Sequence, residues 1–278
     1  MTKDNQVEQK KTLKRVASAS FIGNFVEWFD YAAYGFLATV IAVVFFPQSD
    51  PLTALMAAYA IFAISFILRP LGGIFWGHVG DKFGRKNALS WSIILMTLAT
   101  VCIALLPSYQ SIGIFAPILL LVFRMIQGFS ASGEYAGAAN FLAEYAPKKK
   151  RGLYTSLVPA STAAGLLLGS VMAAAMFAFM SEAFLHEYGW RIPFLLAAPL
   201  GLIGYYIRVK LEDTPEFLEH QKTGQKENFP IKALFNQYRP ALFKAFAVAS
   251  LNATAFYLIF LCTRQISQNP YPIRVLPS

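Results

Sequence analysis

The sequence predicts an all-α integral membrane protein, and three observations carry that prediction. Apolar residues make up 56% of the chain and charged residues only 14%, far below the ~25% charge of a soluble domain. The apolar residues gather in seven segments of about 18 or more, each long enough to cross a hydrocarbon core ~30 Å thick. The basic residues cluster in alternate connections between those segments.

The elements follow in order. The chain opens on a polar tail, read over residues 1–18 as cytoplasmic. A first span at roughly 19–46 is too long for a secretory leader, lacks a small-residue cleavage site and runs directly on to further spans. Spans two to six are read at roughly 54–77, 88–106, 112–136, 153–180 and 190–207, giving a six-helix bundle over 19–207. The polar stretch 208–240 is a cytoplasmic central loop. Within it EDTPEFLEH carries Thr214 as a cap and Pro215 at the first helical position, which predicts a short surface helix. A seventh span covers 241–262. In the tail, 263–278, Pro270 and Pro272 forbid a continued helix, and the segment reads as aberrant sequence after a break.

The net charge of +9 would suit nucleic acid if it formed a patch. Instead Lys and Arg fall in the N-terminal tail, after span two (Lys82, Arg85, Lys86), after span four (Lys148, Lys149, Lys150, Arg151) and after span six (from Arg208 onward). The alternate loops PQSDPLT and PSYQS have none, and the loop after span five has only Arg191. This positive-inside pattern puts the N-terminus in the cytoplasm, makes the lipid bilayer the partner and excludes nucleic acid. Cys102 and Cys262 lie inside apolar segments and read as small buried hydrophobes, not as metal ligands or a disulfide.

Charge inside the spans is scarce, so each instance needs a reason. In NFVEWFDYAAYGF, the side chains of Glu27, Asp30, Tyr31 and Tyr34 share one helical face by their i, i+3, i+4, i+7 spacing. Asp30 lies ~17 Å from the cytoplasmic start of span one, and Arg124 lies ~18 Å from the cytoplasmic end of span four. The matched depths predict that Arg124 pairs with Asp30 or Glu27, since an unpaired charge there costs several kcal/mol. Such a pair either fixes two helices or exchanges a proton, because burial favours the neutral carboxyl and arginine the charged one.

Arg69, in FILRPLGG, reads equally as a substrate contact or a structural salt bridge. Glu134, in GFSASGEYAGA, reads as an interhelix or gate pair slightly ahead of a substrate contact, and Gly128, Gly133 and Gly137 around it read as close helix packing. In GHVGDKFGRK, Gly77 and Gly80 keep the end of span two thin and Gly84 permits a tight turn. Asp81 can receive Arg85, Lys86 or a helix N-terminus.

The spacing of Gly77, Asp81, Lys82, Gly84, Arg85 and Lys86 matches the Gly-x-x-x-Asp-Arg/Lys-x-Gly-Arg-Arg/Lys loop of the major facilitator superfamily, which the sequence resembles. Arg124, Gln127 and Gly128 in RMIQGFSASGEY resemble that family's helix-four motif, and GWRIPF its helix-six start. Together with GNFVEWFDYAAYGF and RPLGGIFWGHVGDKFGRK, these stretches are similar to the metabolite:proton symporter branch, and GEYAGAANFLAEYAP within it to the proline/betaine subfamily. The resemblance covers about residues 15–262.

It implies the N-terminal six-helix half of a major facilitator fold plus a seventh helix, proton-driven uptake across a bacterial inner membrane, and no cofactor beyond the coupling proton. Glu27, Asp30 and Arg124 become proton-coupling candidates, and the loop from Gly77 to Lys86 a cytoplasmic gate. Trp28, Tyr31, Tyr34, Arg69 and Gln127 become substrate candidates. A zwitterion such as proline or betaine would use the aromatic residues and one counter-charge; a dicarboxylate such as α-ketoglutarate or citrate would want Arg69 and Arg124 both free. Twelve spans need near 400 residues, so the chain is expected to be truncated or to pair with a separately encoded second half. A seven-span receptor has only the span count in its favour. An intramembrane enzyme lacks a site, because His78, His186 and His220 are expected in loops.

Overall fold

In the computed structural model, the backbone is described for residues 3–211 and 238–268, and the side chains for 11–211, 238–255 and 258. These residues are helical, with no strand among them. The helices are α1 (Lys3–Phe36), α2 (Ala38–Phe45), α3 (Pro51–Ile67), α4 (Arg69–Phe83), α5 (Arg85–Ala104), α6 (Tyr109–Ile112), α7 (Phe115–Ala131), α8 (Glu134–Tyr145), α9 (Arg151–Thr155), α10 (Leu157–Phe179), α11 (Glu182–Glu187), α12 (Ile192–Val209) and α13 (Arg239–Gln268).

Among the described residues, Pro51–Phe83, Arg85–Ala104, Phe115–Tyr145, Lys148–Phe179 and Gly189–Val209 are long and apolar enough to cross a membrane. Lys11–Phe36 with Ala38–Phe45, bent by 66°, makes a sixth such segment. Four segments read from sequence as continuous are broken: at Leu37, at Leu68, at Ser132–Gly133 and at Ser156. The second break has a local cause, since Pro70 lacks an N–H and sits in the first turn of α4.

The chain divides into residues 1–226 and 227–278. In the first unit α1 packs against α10 and α12, α5 against α12 and α7, and α3 and α4 against α7. Small residues set the closest approaches. A Cβ at Gly165 would lie 2.7 Å from the Phe25 carbonyl oxygen, and one at Gly128 would strike the backbone of Ser65, so α10 meets α1 and α7 meets α3 almost backbone to backbone.

Outward-facing positions are apolar, including Ile67, Leu71, Leu98, Phe115, Leu167, Phe177 and Leu202. A surface of that kind belongs in lipid. The interior instead holds Asn24, Glu27, Asp30, Arg124, Gln127, Glu134 and Arg208. Gly84, with φ 99°, makes the turn between α4 and α5 in a region open to glycine.

In the second unit α13 is a 30-residue helix ending at Gln268, two residues before Pro270. The expected surface helix at EDTPEFLEH, and the tail from residue 269, lie outside the described residues. His78 and His186 sit on helices α4 and α11 and not in loops. Both segments are short or end-of-span, which the apolar pattern does not separate from loop.

Candidate functional site

The interior of the bundle is organised by the polar stripe of α1, whose carboxylates meet arginines from two other helices. Asp30 Oδ2 accepts from Arg124 Nη1 at 2.7 Å. Of the two partners open to Arg124, the structure gives Asp30. Gln127, one turn along α7, donates to Asp30 Oδ1 at 3.2 Å and to Thr100 Oγ1 of α5 at 2.6 Å. The Arg124 guanidinium lies 3.9 Å from the Tyr34 ring centroid and 5.4 Å from that of Phe194. Tyr34 is fixed in turn by donating to the Ala58 carbonyl of α3 at 2.9 Å. Arg124 is fully buried, so this pair is enclosed by α1, α3, α5, α7 and α12.

Glu27, one turn earlier, accepts from Arg69 Nη2 at 2.5 Å. Arg69 stands at the start of α4 and leans over the rings of Tyr31 at 4.9 Å and Phe66 at 4.7 Å. Its side chain is 24% exposed, so this pair is the open one. Trp28 is half-buried and meets Tyr31 edge to face at 6.0 Å. The candidates Glu27, Trp28, Asp30, Tyr31, Tyr34, Arg69, Arg124 and Gln127 therefore form one contiguous cluster along α1.

Glu134 lies elsewhere. It pairs with Arg208 of α12, which donates through Nη1 and Nη2 to the two carboxylate oxygens, and also to the carbonyls of Leu89 at 2.8 Å and Ala19 at 3.1 Å. One guanidinium thus ties α1, α5, α8 and α12 together. Arg208, read from sequence as the first basic residue of the central loop, is instead buried. The glycines around Glu134 do pack closely: a Cβ added at Gly133 would lie 2.7 Å from Trp76 Cβ, and one at Gly137 2.8 Å from Leu89 Cδ2.

The α4–α5 turn also departs from expectation in its pairing. Asp81 and Lys82 are exposed, and Arg85 Nε reaches Glu144 of α8 at 2.8 Å rather than Asp81. Lys82 Nζ sits 5.4 Å from the Phe83 ring. Nothing lies within 4 Å of a Cβ built at Gly77, and one built at Gly80 would meet only Ala88 Cβ, at 3.7 Å.

Sequence reasoning missed Asn24, whose amide donates to the Val158 carbonyl at 3.0 Å, Ser161 at 2.9 Å and Thr162 at 2.8 Å, locking α1 to α10. Its signal was available, since Asn24 precedes Glu27 by three residues and extends the same stripe. Thr100 carried no such signal, because a lone threonine in an apolar span reads as lipid-compatible.

The sugar (and other) transporter family pattern matches residues 16–236. The proline/betaine transporter of Escherichia coli K12 is 41% identical over 267 residues, covering 92% of this chain and 53% of that protein. The glycine betaine/proline/ectoine/pipecolic acid transporter of Dickeya dadantii is 47% identical over 222 residues, covering 80% of this chain and 44% of that protein. The chain thus spans about half the length of the curated relatives it matches. Among solved structures, the proton:xylose symporter XylE, of the major facilitator superfamily, superposes with a TM-score of 0.69 at 18% identity, over 78% of this chain and 48% of that one. An inward-open E. coli XylE structure gives 0.66 at 20% identity, over 86% and 56%. By the family pattern matched over residues 16–236, the chain belongs to the sugar (and other) transporter family.

Proposed function

We propose that this bundle serves proton-coupled uptake of a small zwitterion of the proline/betaine kind across a bacterial inner membrane, with the N-terminus in the cytoplasm. The observation that carries the reading is the α1 stripe, in which each of two carboxylates is neutralised by an arginine from a different helix. Glu27 and Asp30 are the coupling carboxylates, and Arg69 and Arg124 are the counter-charges that make loss or gain of one proton consequential. Trp28, Tyr31 and Tyr34 offer aromatic faces, and Gln127 a neutral amide.

Charge balance favours the zwitterion over a dicarboxylate. Both arginines are already matched one to one, so the site presents no net positive charge to an anion. The names of the 41% and 47% identical relatives point the same way. Asp81, Lys82, Arg85 and Lys86 at the α4–α5 turn act at the cytoplasmic gate.

The test exchanges residues 16–226 of this chain into the E. coli proline/betaine transporter, in cells lacking their own uptake of proline and betaine. The expected result is accumulation of labelled proline or glycine betaine that a protonophore abolishes. Uptake of α-ketoglutarate or citrate instead would transfer the reading to dicarboxylates. A membrane-inserted chimera that accumulates none of these would end it.

A further inference from the structure

The open carboxylate pair is incompletely hydrogen-bonded. Glu27 is 1% exposed, and only its Oε1 has a partner, Arg69 Nη2. Glu27 Oε2, Trp28 Nε1 and Arg69 Nε are all buried without a hydrogen-bond partner among the described residues. A buried polar atom without a partner is costly, so three in one cluster, reached from outside past Arg69, mark a site shaped for something not of this chain. The aromatic faces there are occupied by a cation already, the Arg69 guanidinium over Tyr31 and Phe66.

Resting on the reading of a zwitterion symporter, we infer that the substrate's carboxylate replaces Glu27 on Arg69, and that the released Glu27 accepts the symported proton. Before binding, Glu27 and Arg69 sum to zero charge. The ligand brings a carboxylate and an ammonium, which also sum to zero. Its carboxylate accepts the Arg69 N–H groups, and its ammonium takes the Tyr31 and Phe66 faces that Arg69 vacates. Glu27 is then an unpaired anion in an enclosed site and takes one proton from the aqueous side. The O–H bond on Glu27 is the only covalent bond made, and the loaded site carries one net positive charge.

The surroundings direct the proton to Glu27. Asp30, on the same helix, is held by Arg124 of α7 with Gln127 beside it. Glu134 of α8 is held by Arg208 of α12. From α10 and α5 the stripe meets hydroxyls, those of Ser161, Thr162 and Thr100. Of the three buried carboxylates among the described residues, Glu27 alone has a partly exposed arginine, which a ligand can take from it.

The experiment measures glycine betaine binding by the full 278-residue chain in lipid nanodiscs, as Kd against pH and as proton uptake reported by a dye in weak buffer. Choline, with the same quaternary ammonium and no carboxylate, is the comparison ligand. The wild type should take up about one proton per betaine, and its Kd should rise about tenfold per pH unit once Glu27 is ionised. Choline should cause no uptake, and Glu27→Gln should bind betaine with a flat pH profile and no uptake. Proton uptake that survives Glu27→Gln, or equal uptake with choline and betaine in the wild type, overturns the exchange while leaving symport standing. Absence of betaine binding by the wild type overturns the exchange too, and the chimera's uptake then decides the transport reading separately.

Discussion

Replacing Gly23 with alanine should destabilise this bundle, although the same change in most helices does the reverse. Alanine at an interior helical glycine ordinarily contributes ~0.5–1 kcal/mol. At Gly23 the added methyl would run into Arg208 Nη2 and Glu134 Oε1 and lie 2.8 Å from Arg208 Cζ. Neither side chain has anywhere to go, since Arg208 is bound at once to Glu134, Leu89 and Ala19. If the helices shift to make room, overpacking costs ~1–3 kcal/mol. If the buried pair separates, the cost is ~3–5 kcal/mol. The net expectation is therefore a loss of about 2–4 kcal/mol.

Gly73→Ala is the control, because no atom lies within 4 Å of the Cβ it would add, and it should leave stability unchanged or raised by ~0.5–1 kcal/mol. Reversible unfolding in mixed detergent–SDS micelles, followed by far-UV circular dichroism, reads both. In a Glu134→Leu/Arg208→Leu background, most of the Gly23→Ala penalty should disappear, a coupling above ~1 kcal/mol. Gly23→Ala as stable as the wild type would refute the argument that this pair fixes the spacing of α1, α8 and α12.

Asp30→Asn in the chimera should abolish proton-driven accumulation while the protein still inserts, because the amide keeps the shape and loses the charge; wild-type accumulation would remove Asp30 from coupling. Asn24→Ala removes the amide that joins α1 to Val158, Ser161 and Thr162 of α10 and should cost ~1–3 kcal/mol in the same unfolding assay, with a change under 0.5 kcal/mol counting against the α1–α10 lock. Asp81→Lys should leave unfolding unchanged, since Asp81 is exposed and Arg85 is engaged by Glu144, yet slow uptake by the chimera. Loss of betaine affinity in that variant would move Asp81 from gate to binding site.

The outline of the fold was legible because hydropathy, length and basic-loop alternation act through the bilayer, which forces every apolar segment of sufficient length into a helix. Breaks within spans were not, since Leu37 and Ser132 carry no proline or charge to announce them. At the site, depth matching brought Arg124 to the α1 stripe because opposite charges at equal depth have few other partners. It left Asp30 and Glu27 undecided, because they differ by a single helical turn. Arg208 was misread for a related reason. An arginine at a span's cytoplasmic end satisfies the positive-inside pattern whether it snorkels to water or turns inward, and the choice is made by Glu134, 74 positions away. Asp81 and Arg85 are close enough in sequence to pair, but Glu144 faces Arg85 across the α5–α8 contact, which local spacing does not encode.

The most direct test of proton coupling is made in sealed proteoliposomes containing the chimera, with a pH dye inside and no imposed proton gradient. An inward glycine betaine gradient should acidify the lumen, and Glu27→Gln should abolish the signal. Betaine entry at the wild-type rate with no change in internal pH would contradict the account.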